Sequence, residues 1–512
     1  MSDFTKPAWE AVLREGVTPT AAQQAEARGA LGNPVQMAIS GSVSQMFSQT
    51  RTTFSVAVSR KRHVARRRAE NIQLIFPLTR TNTGDGENPM DNPVEYLASI
   101  ELANGTIIPC FYRGKRIAKP SPGGILKFDP VGIELAPGDV FYVRFGANRL
   151  KSDTYSYLGE VGGITVDQVY LPSTTAICGA GSGVLGHLDT STVISSTGVD
   201  PFITLAAVDA SGALSSQAVN LCPTPMVFGE CRESAVTVGI IGTSIEYGQA
   251  DQLTGEGAFA GWAARAAAAC NLPLLNLAVG GMAYQTSWAA QAKAALRGTL
   301  LDTVTHVVVG GPTNDFVSGR TFAQAQGDIL TIVSRLKRLG KKVYLSTLPP
   351  RCASAANNFT TLAAQTVVVS EPNRLLYNAW VRSSPTEADG FIDIGAEVED
   401  IATGKWKPGT LISSGTITGI SSGVNDSGAS FSNAEIGGAA GAVFLDTADP
   451  AKSWGVSHSP APTLIVLTVS APSQVTGHAY ELWDANSFDG VHPCGKGYAR
   501  MAVPAIALFS SF

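Results

Sequence analysis

The fold class expected from this sequence is α/β: a parallel sheet with helices on both faces, preceded by a β-sandwich or jelly-roll-like region. Three observations carry it. From about residue 231 onward, short β-branched runs alternate with Ala-rich or amphipathic ones, the rhythm of strands joined by helices. From about 49 to 230, strand-like runs are punctuated by Gly, Pro, Asn and Asp without long helical patterns. Between about 405 and 480 the α/β rhythm stops and Gly, Ser, Thr and Val dominate, as expected of a β-rich insertion. Such an insertion could cover a pocket, bind a polymer or be an accessory sheet.

Each element has its own signal. Residues 1–48 read as a separate N-terminal helical or attachment segment. Thr18-Pro19-Thr20 has the form of a helix start, Ala21 to Leu31 favours helix, and Gly32 stops it. Strands are expected at Ile72–Phe76, Val94–Leu102, Thr106–Tyr112, Val140–Phe145 and Ile164–Leu171. In the α/β part they are expected at Val236–Ile241, Leu274–Val279, Thr305–Val309, Lys342–Thr347 and Phe391–Ile394. Helices are expected at Ala258–Ala269, Thr321–Leu339, Glu371–Val381 and Gly497–Ser510. Domains of 49–230 and 231–512, the latter carrying the insertion, follow from these changes of rhythm.

Composition narrows the function. The 512 residues carry a net charge of −4 with 15% charged residues, which does not suggest nucleic acid. The first twenty residues lack an apolar core, so no signal peptide is expected, and no apolar run is long enough to cross a membrane. A soluble protein is the expectation. The seven cysteines are scattered with no CxxC pair, so free thiols are expected and zinc is not; Cys222 and Cys231 are close enough in sequence to pair. The basic run Arg60–Arg68 reads either as a patch for an anionic glycan or nucleic acid, or as a solvated strand or subunit contact.

Four short segments point to chemistry. In Gly242-Thr243-Ser244 a serine lies just beyond an apolar strand, at the sheet edge where open α/β sheets bind ligands. It could equally be a helix N-cap. In Asn276-Leu277-Ala278-Val279-Gly280-Gly281, glycine permits close backbone approach and a donating N–H, or forms only a turn. Gly310-Gly311-Pro312-Thr313-Asn314-Asp315 offers a neutral amide donor at Asn314, or an Asx turn. In Asp489-Gly490-Val491-His492 one loop delivers a base and a carboxylate to orient it; metal ligation with Cys494 is the competing reading. Of the six histidines, His63 lies in the basic run, His187 in the β region, His306 in an apolar strand, and His458 and His478 in the insertion. His492 alone sits in a Gly-containing loop with an aspartate at hand.

Segments in the order Ser, Gly, Asn, Asp-x-x-His resemble the SGNH (GDSL-type) hydrolase family, over residues about 234–400 and 481–512. The resemblance implies a flavodoxin-like three-layer α/β/α sandwich and ester hydrolysis without metal or cofactor. It implies Ser244 as nucleophile, His492 as general base and Asp489 as its orienter. The oxyanion hole would be the Ser244 and Gly281 N–H groups with the Asn314 amide. Two departures stand out: the usual Gly-Asp-Ser is Gly-Thr-Ser, and the usual Gly-x-Asn-Asp is one residue longer counted from Gly311. The string Thr18 to Gly32 resembles segments of bacteriophage tail-fibre proteins. Together these imply a carbohydrate O-deacetylase acting on a bacterial surface polysaccharide, associated with a phage tail and there a homo-oligomer, a trimer by analogy with such fibres. No nucleic-acid or membrane partner is expected. The rivals are a lipase or small-ester esterase, and a glycan-binding structural tail protein without catalysis.

Overall fold

The computed structural model describes residues 35–40, 42–43, 56–82, 86–89, 94–121, 123–149, 168–170, 207–208, 214–215, 225–231, 236–249, 251, 261–290, 295–354, 359–420, 424–431, 442–449, 453–461, 463–467, 476–487 and 489–512. The expected helix at 21–31 and the tail-fibre-like string lie outside them.

The C-terminal region is built on a parallel sheet. Its strands are β1 (Val238–Ile241), β2 (Leu274–Asn276), β3 (His306–Val309), β4 (Lys342–Ser346) and β5 (Gly390–Ile392). They lie in the order 2-1-3-4-5, every neighbour parallel. The residues of β1 and β2 and most of β3 and β4 are buried, which is why these strands read as apolar runs rather than alternating ones. Two pairs of helices cover the sheet: α2 (Trp262–Ala269) with α6 (Gly495–Phe509), and α4 (Phe322–Arg338) with α5 (Glu371–Arg382). In α4 the spacing of Ala325, Ile329, Ile332, Val333 and Leu336 makes one buried stripe; a Thr321–Gln324 capping box opens the helix and Arg335, Lys337 and Arg338 fill its last turn.

Within 1–48, the described residues 35–40 and 42–43 belong to both sheets around them, not to a separate element. Val35–Ala38 pairs antiparallel with Met226–Cys231, and Ser42–Val43 extends the parallel sheet beyond β2. Pairing removes the exposed edge that β2 would otherwise present.

The preceding region is all-β. One antiparallel sheet contains Val35–Ala38, Met226–Cys231, Ala69–Pro77, Val131–Leu135 and Ile125–Lys127. The other contains Gln168–Tyr170, Val56–Val64, Val140–Arg149, Val94–Leu102 and Ile107–Pro109. Phe76 of the first sheet packs on Tyr96 and Phe145 of the second, with ring centroids 5.6 and 5.0 Å apart, so the two sheets share a core.

The basic run is not a strand solvated throughout. It occupies the strand Val56–Val64 and the turn after it, and alternate residues point inward: Lys61, His63 and Arg67 are buried. His63 stacks on Phe141 and its Nδ1 lies 3.0 Å from Ser40 Oγ. Burial and the charge of Lys61 push its pKa down to about 3, so it stays neutral. Arg66 donates to Asn271 and Arg68 pairs with Glu134. Much of this charge is therefore structural. Cys231 is a free thiol, against the suggested pairing with Cys222, which lies outside the described residues.

The insertion forms a seven-stranded sheet around its own core of Ile417, Val424, Ala442, Phe444, Val456, Ile465, Tyr480 and Leu482. Its strand Ala479–Asp484 runs directly into the loop that carries Asp489 and His492. Among the described residues, no helix is long and apolar enough to cross a membrane.

Candidate active site

The predicted residues converge at the carboxyl ends of β1, β2 and β3. In the 2-1-3-4-5 order the chain leaves β1 toward β2 on one side and later returns to β3 on the other, which opens a crevice between the ends of β1 and β3. Ser244 begins α1 (Ser244–Tyr247) three residues after β1, and Asn314 lies in α3 (Thr313–Val317), five residues after β3.

Ser244 Oγ lies 3.0 Å from His492 Nε2, and His492 Nδ1 lies 2.8 Å from Asp489 Oδ2. Both ring nitrogens are thus engaged, one on the hydroxyl and one on the carboxylate. The imidazole tautomer this requires has its proton on Nδ1, leaving Nε2 free to accept from the serine. The thiol of Cys494 is turned away and donates to the Ala485 carbonyl, so it does not join His492 and Asp489 in a ligand set.

The loop that holds the pair is over-determined. Asp489 Oδ1 accepts the backbone N–H groups of Val491 and His492 at 2.8 and 2.7 Å. Ser487 Oγ accepts from the Gly490 N–H at 2.9 Å and donates to the His492 carbonyl at 2.7 Å. The Gly490 carbonyl in turn accepts from Trp406 Nε1 and the Cys352 N–H, at 3.0 and 2.9 Å. Gly490 has φ of 77°, and a Cβ there would lie 2.3 Å from the Cys352 carbonyl oxygen, so glycine is required. Burial draws the Asp489 carboxyl upward, but the hydrogen bond and charge of His492 and the two backbone donors outweigh it. The group is held below the usual carboxylate range and stays ionised.

A second network ties the loop after β2 to the turn after β3. The Asp315 carboxylate accepts the N–H groups of Tyr284 and Gln285 at 2.9 and 3.1 Å, tying the loop after β2 to α3. Asn314 Nδ2 gives one hydrogen to the Met282 carbonyl at 3.0 Å. Gly281, at φ of 74°, makes the left-handed turn next to it. Tyr284 Oη lies 2.8 and 3.2 Å from the carbonyls of Gly310 and Ile241, bridging the ends of β3 and β1.

Several residues of the site carry no role in the sequence reading. Glu246 is fully buried beneath Ser244, and Tyr284, Asp315, Ser487 and Trp406 support the loops. One of them had a legible signal: Thr243 and Glu246 have the Thr-x-x-Glu spacing of a capping box, and they form one.

No family model matches this chain, and no curated protein does. Solved structures similar to it are GDSL-like hydrolases and esterases. A family two carbohydrate esterase from Clostridium thermocellum, solved with cellohexaose, is 11% identical with a TM-score of 0.27, covering 70% of this chain and 84% of that one. A GDSL-like lipase from Bacteroides thetaiotaomicron VPI-5482 is 12% identical with a TM-score of 0.26, covering 54% and 88%. Est24, a carbohydrate acetylesterase from Sinorhizobium meliloti, is 15% identical with a TM-score of 0.24, covering 32% and 85%. Likeness at this level settles neither family nor function, which rest on the site's own geometry.

Proposed function

We propose that this chain is a serine esterase of the SGNH type that works through an acyl-enzyme and removes O-acetyl groups from a polysaccharide. The observation that carries the reading is the continuous chain from Ser244 Oγ through His492 to Asp489, with links of 3.0 and 2.8 Å. A lone N-cap serine has no reason to meet a histidine that is itself oriented by an ionised carboxylate.

In the proposed reaction, Ser244 Oγ attacks the acyl carbonyl while His492 Nε2 takes its proton. Asp489 holds the ring and stabilises the imidazolium. The negative charge on the carbonyl oxygen is met by the N–H groups of Ser244 and Gly281 and by the Asn314 amide, which keeps one hydrogen beyond its bond to Met282. The tetrahedral intermediate collapses, His492 protonates the departing sugar hydroxyl, and acetyl-Ser244 remains. Water then attacks with His492 as base, and acetate leaves. Every step uses the chain's own groups, without cofactor or metal.

The sheet order supports a three-layer α/β/α reading. Crossovers from β1 to β2 and from β3 to β4 run in opposite directions, and right-handed connections would put their helices on opposite faces. The polysaccharide substrate is supported by the two-sheet region and by the insertion sheet running into the His492 loop, both of which offer surfaces for a polymer beside the site. Residues 18–32 support a place on a phage tail, where the chain would act as an oligomer on capsule or lipopolysaccharide.

Hydrolysis of p-nitrophenyl acetate, butyrate and octanoate by wild type and Ser244→Ala tests the reading. Serine-dependent turnover of acetate with little on octanoate is expected. Preference for octanoate would point to a lipase. Absence of serine-dependent turnover, with glycan binding intact, would point to a non-catalytic binding protein.

A further inference from the structure

The nucleophile turn contains a buried acid that the proposed reaction does not use. Glu246, two residues after Ser244, is fully buried. Its Oε2 accepts from the Thr243 N–H at 2.8 Å and the Thr243 hydroxyl at 3.2 Å, while its Oε1 has no partner. The side chain is wedged between the ends of β1 and β3. A Cβ on Gly242 would come within 2.4 Å of it, and a Cβ on Gly310 within 2.3 Å. Those two glycines begin the turns that present Ser244 and Asn314. The backbone carbonyl of Glu246 also accepts from the Asn276 side-chain amide at 2.9 Å, which brings in the last residue of β2. One residue therefore touches the two turns that carry Ser244 and Asn314 and the end of β2. It also places a carboxylate on Thr243, the position where the Gly-Asp-Ser pattern would carry its own.

We propose that Glu246 is a positioning residue for the nucleophile: its carboxylate fixes the Gly242–Thr243 peptide and the Thr243 side chain, immediately before Ser244, and the separation between the Ser244 and Asn314 turns. This rests on the esterase reading and deepens it. A single donor-rich residue would stay bound to a neutral acid only weakly, because a charged acceptor makes bonds roughly twice as strong as a neutral one. The ionised form is thus the one that positions Ser244.

Ionisation at this place is finely balanced. Burial raises the Glu246 pKa to about 7 against the opposing bonds from Thr243. Among the described residues, Tyr284 from the loop after β2, Tyr377 from α5 and Tyr498 from α6 sense its charge. All three are neutral phenols. Protonation near neutral pH would then relax the Gly242–Thr243 peptide that leads into Ser244 without unfolding the site.

The test is the pH profile of kcat/KM for acetate ester hydrolysis in wild type, Glu246→Gln and Glu246→Leu, with Ser244→Ala as control. Gln keeps the shape but is locked in the uncharged state. On acidification wild type should lose up to about tenfold in kcat/KM beyond the loss from the general base alone, because protonation of Glu246 adds its own effect. Glu246→Gln should lack that added step and show a kcat lowered about tenfold at pH 8.5, with KM nearly unchanged, as for a loss confined to the transition state. Glu246→Leu should fall further, with melting curves for both variants reporting that they fold. A folded Glu246→Gln with wild-type kcat and the same pH profile as wild type would overturn the proposal. Absence of Ser244-dependent activity in wild type would instead defeat the esterase reading itself.

Discussion

At the scale of single residues, the proposed mechanism separates groups that react from groups that hold them. Ser244→Ala should lower kcat about 10⁴-fold or more, because without the hydroxyl no acyl-enzyme forms. Asp489→Asn keeps the loop's shape but favours the wrong imidazole tautomer; steady-state assays should show a fall of about 10³- to 10⁴-fold. Asn314→Ala removes one of the proposed donors to the developing oxyanion and should cost about 10²-fold in kcat with KM little changed. Sequence alone singled out Ser244, Asn314, Asp489 and His492 as candidates, because each follows a strand or stands beside a chemically matched neighbour. It did not reveal Tyr284 or Ser487. Their roles depend on backbone groups far away in the chain, such as the Gly310 carbonyl that accepts from Tyr284 at 2.8 Å, and residue type does not announce such partners.

At the scale of elements, the parallel strands and long helices were legible because burial on both faces and a 3.6-residue stripe leave plain patterns in Val238–Ile241 and in Phe322–Arg338. Ser42–Val43 was not, since a two-residue edge strand has no periodicity to read. The basic run was misleading for a related reason: composition registers charge, whereas the alternation that buries Lys61 and His63 is a property of the strand. The loop Ser487–His492 is the element on which the proposed function depends most. Gly490→Ala would force a side chain against the Cys352 carbonyl and Phe359 at a left-handed φ of 77°. We expect esterase activity to fall at least about 10²-fold, as misplacement of about 1 Å can do, while circular dichroism still shows a folded chain.

At the scale of the whole molecule, stability and function pull Glu246 in opposite directions. An acid whose pKa is raised by burial holds its proton more tightly when folded than when unfolded. Its contribution to stability is full below its ordinary value of 4.5 and is lost as pH rises toward about 7. Glu371 is raised to about 7 as well, so wild type alone would not isolate the effect. The comparison does: the Tm of Glu246→Gln relative to wild type should climb between pH 4.5 and 7 and stay level above. A flat difference would mean that Glu246 carries no such penalty. The arrangement fits a residue kept for positioning the nucleophile at some cost to the fold. The most direct check of the central claim is covalent. A fluorophosphonate, which reacts with activated serines, should modify the protein once, at Ser244, as located by peptide mass spectrometry, and Asp489→Asn should slow that labelling severely. Labelling at another serine, or none at Ser244, would contradict the assignment of a reactive Ser244–His492–Asp489 site.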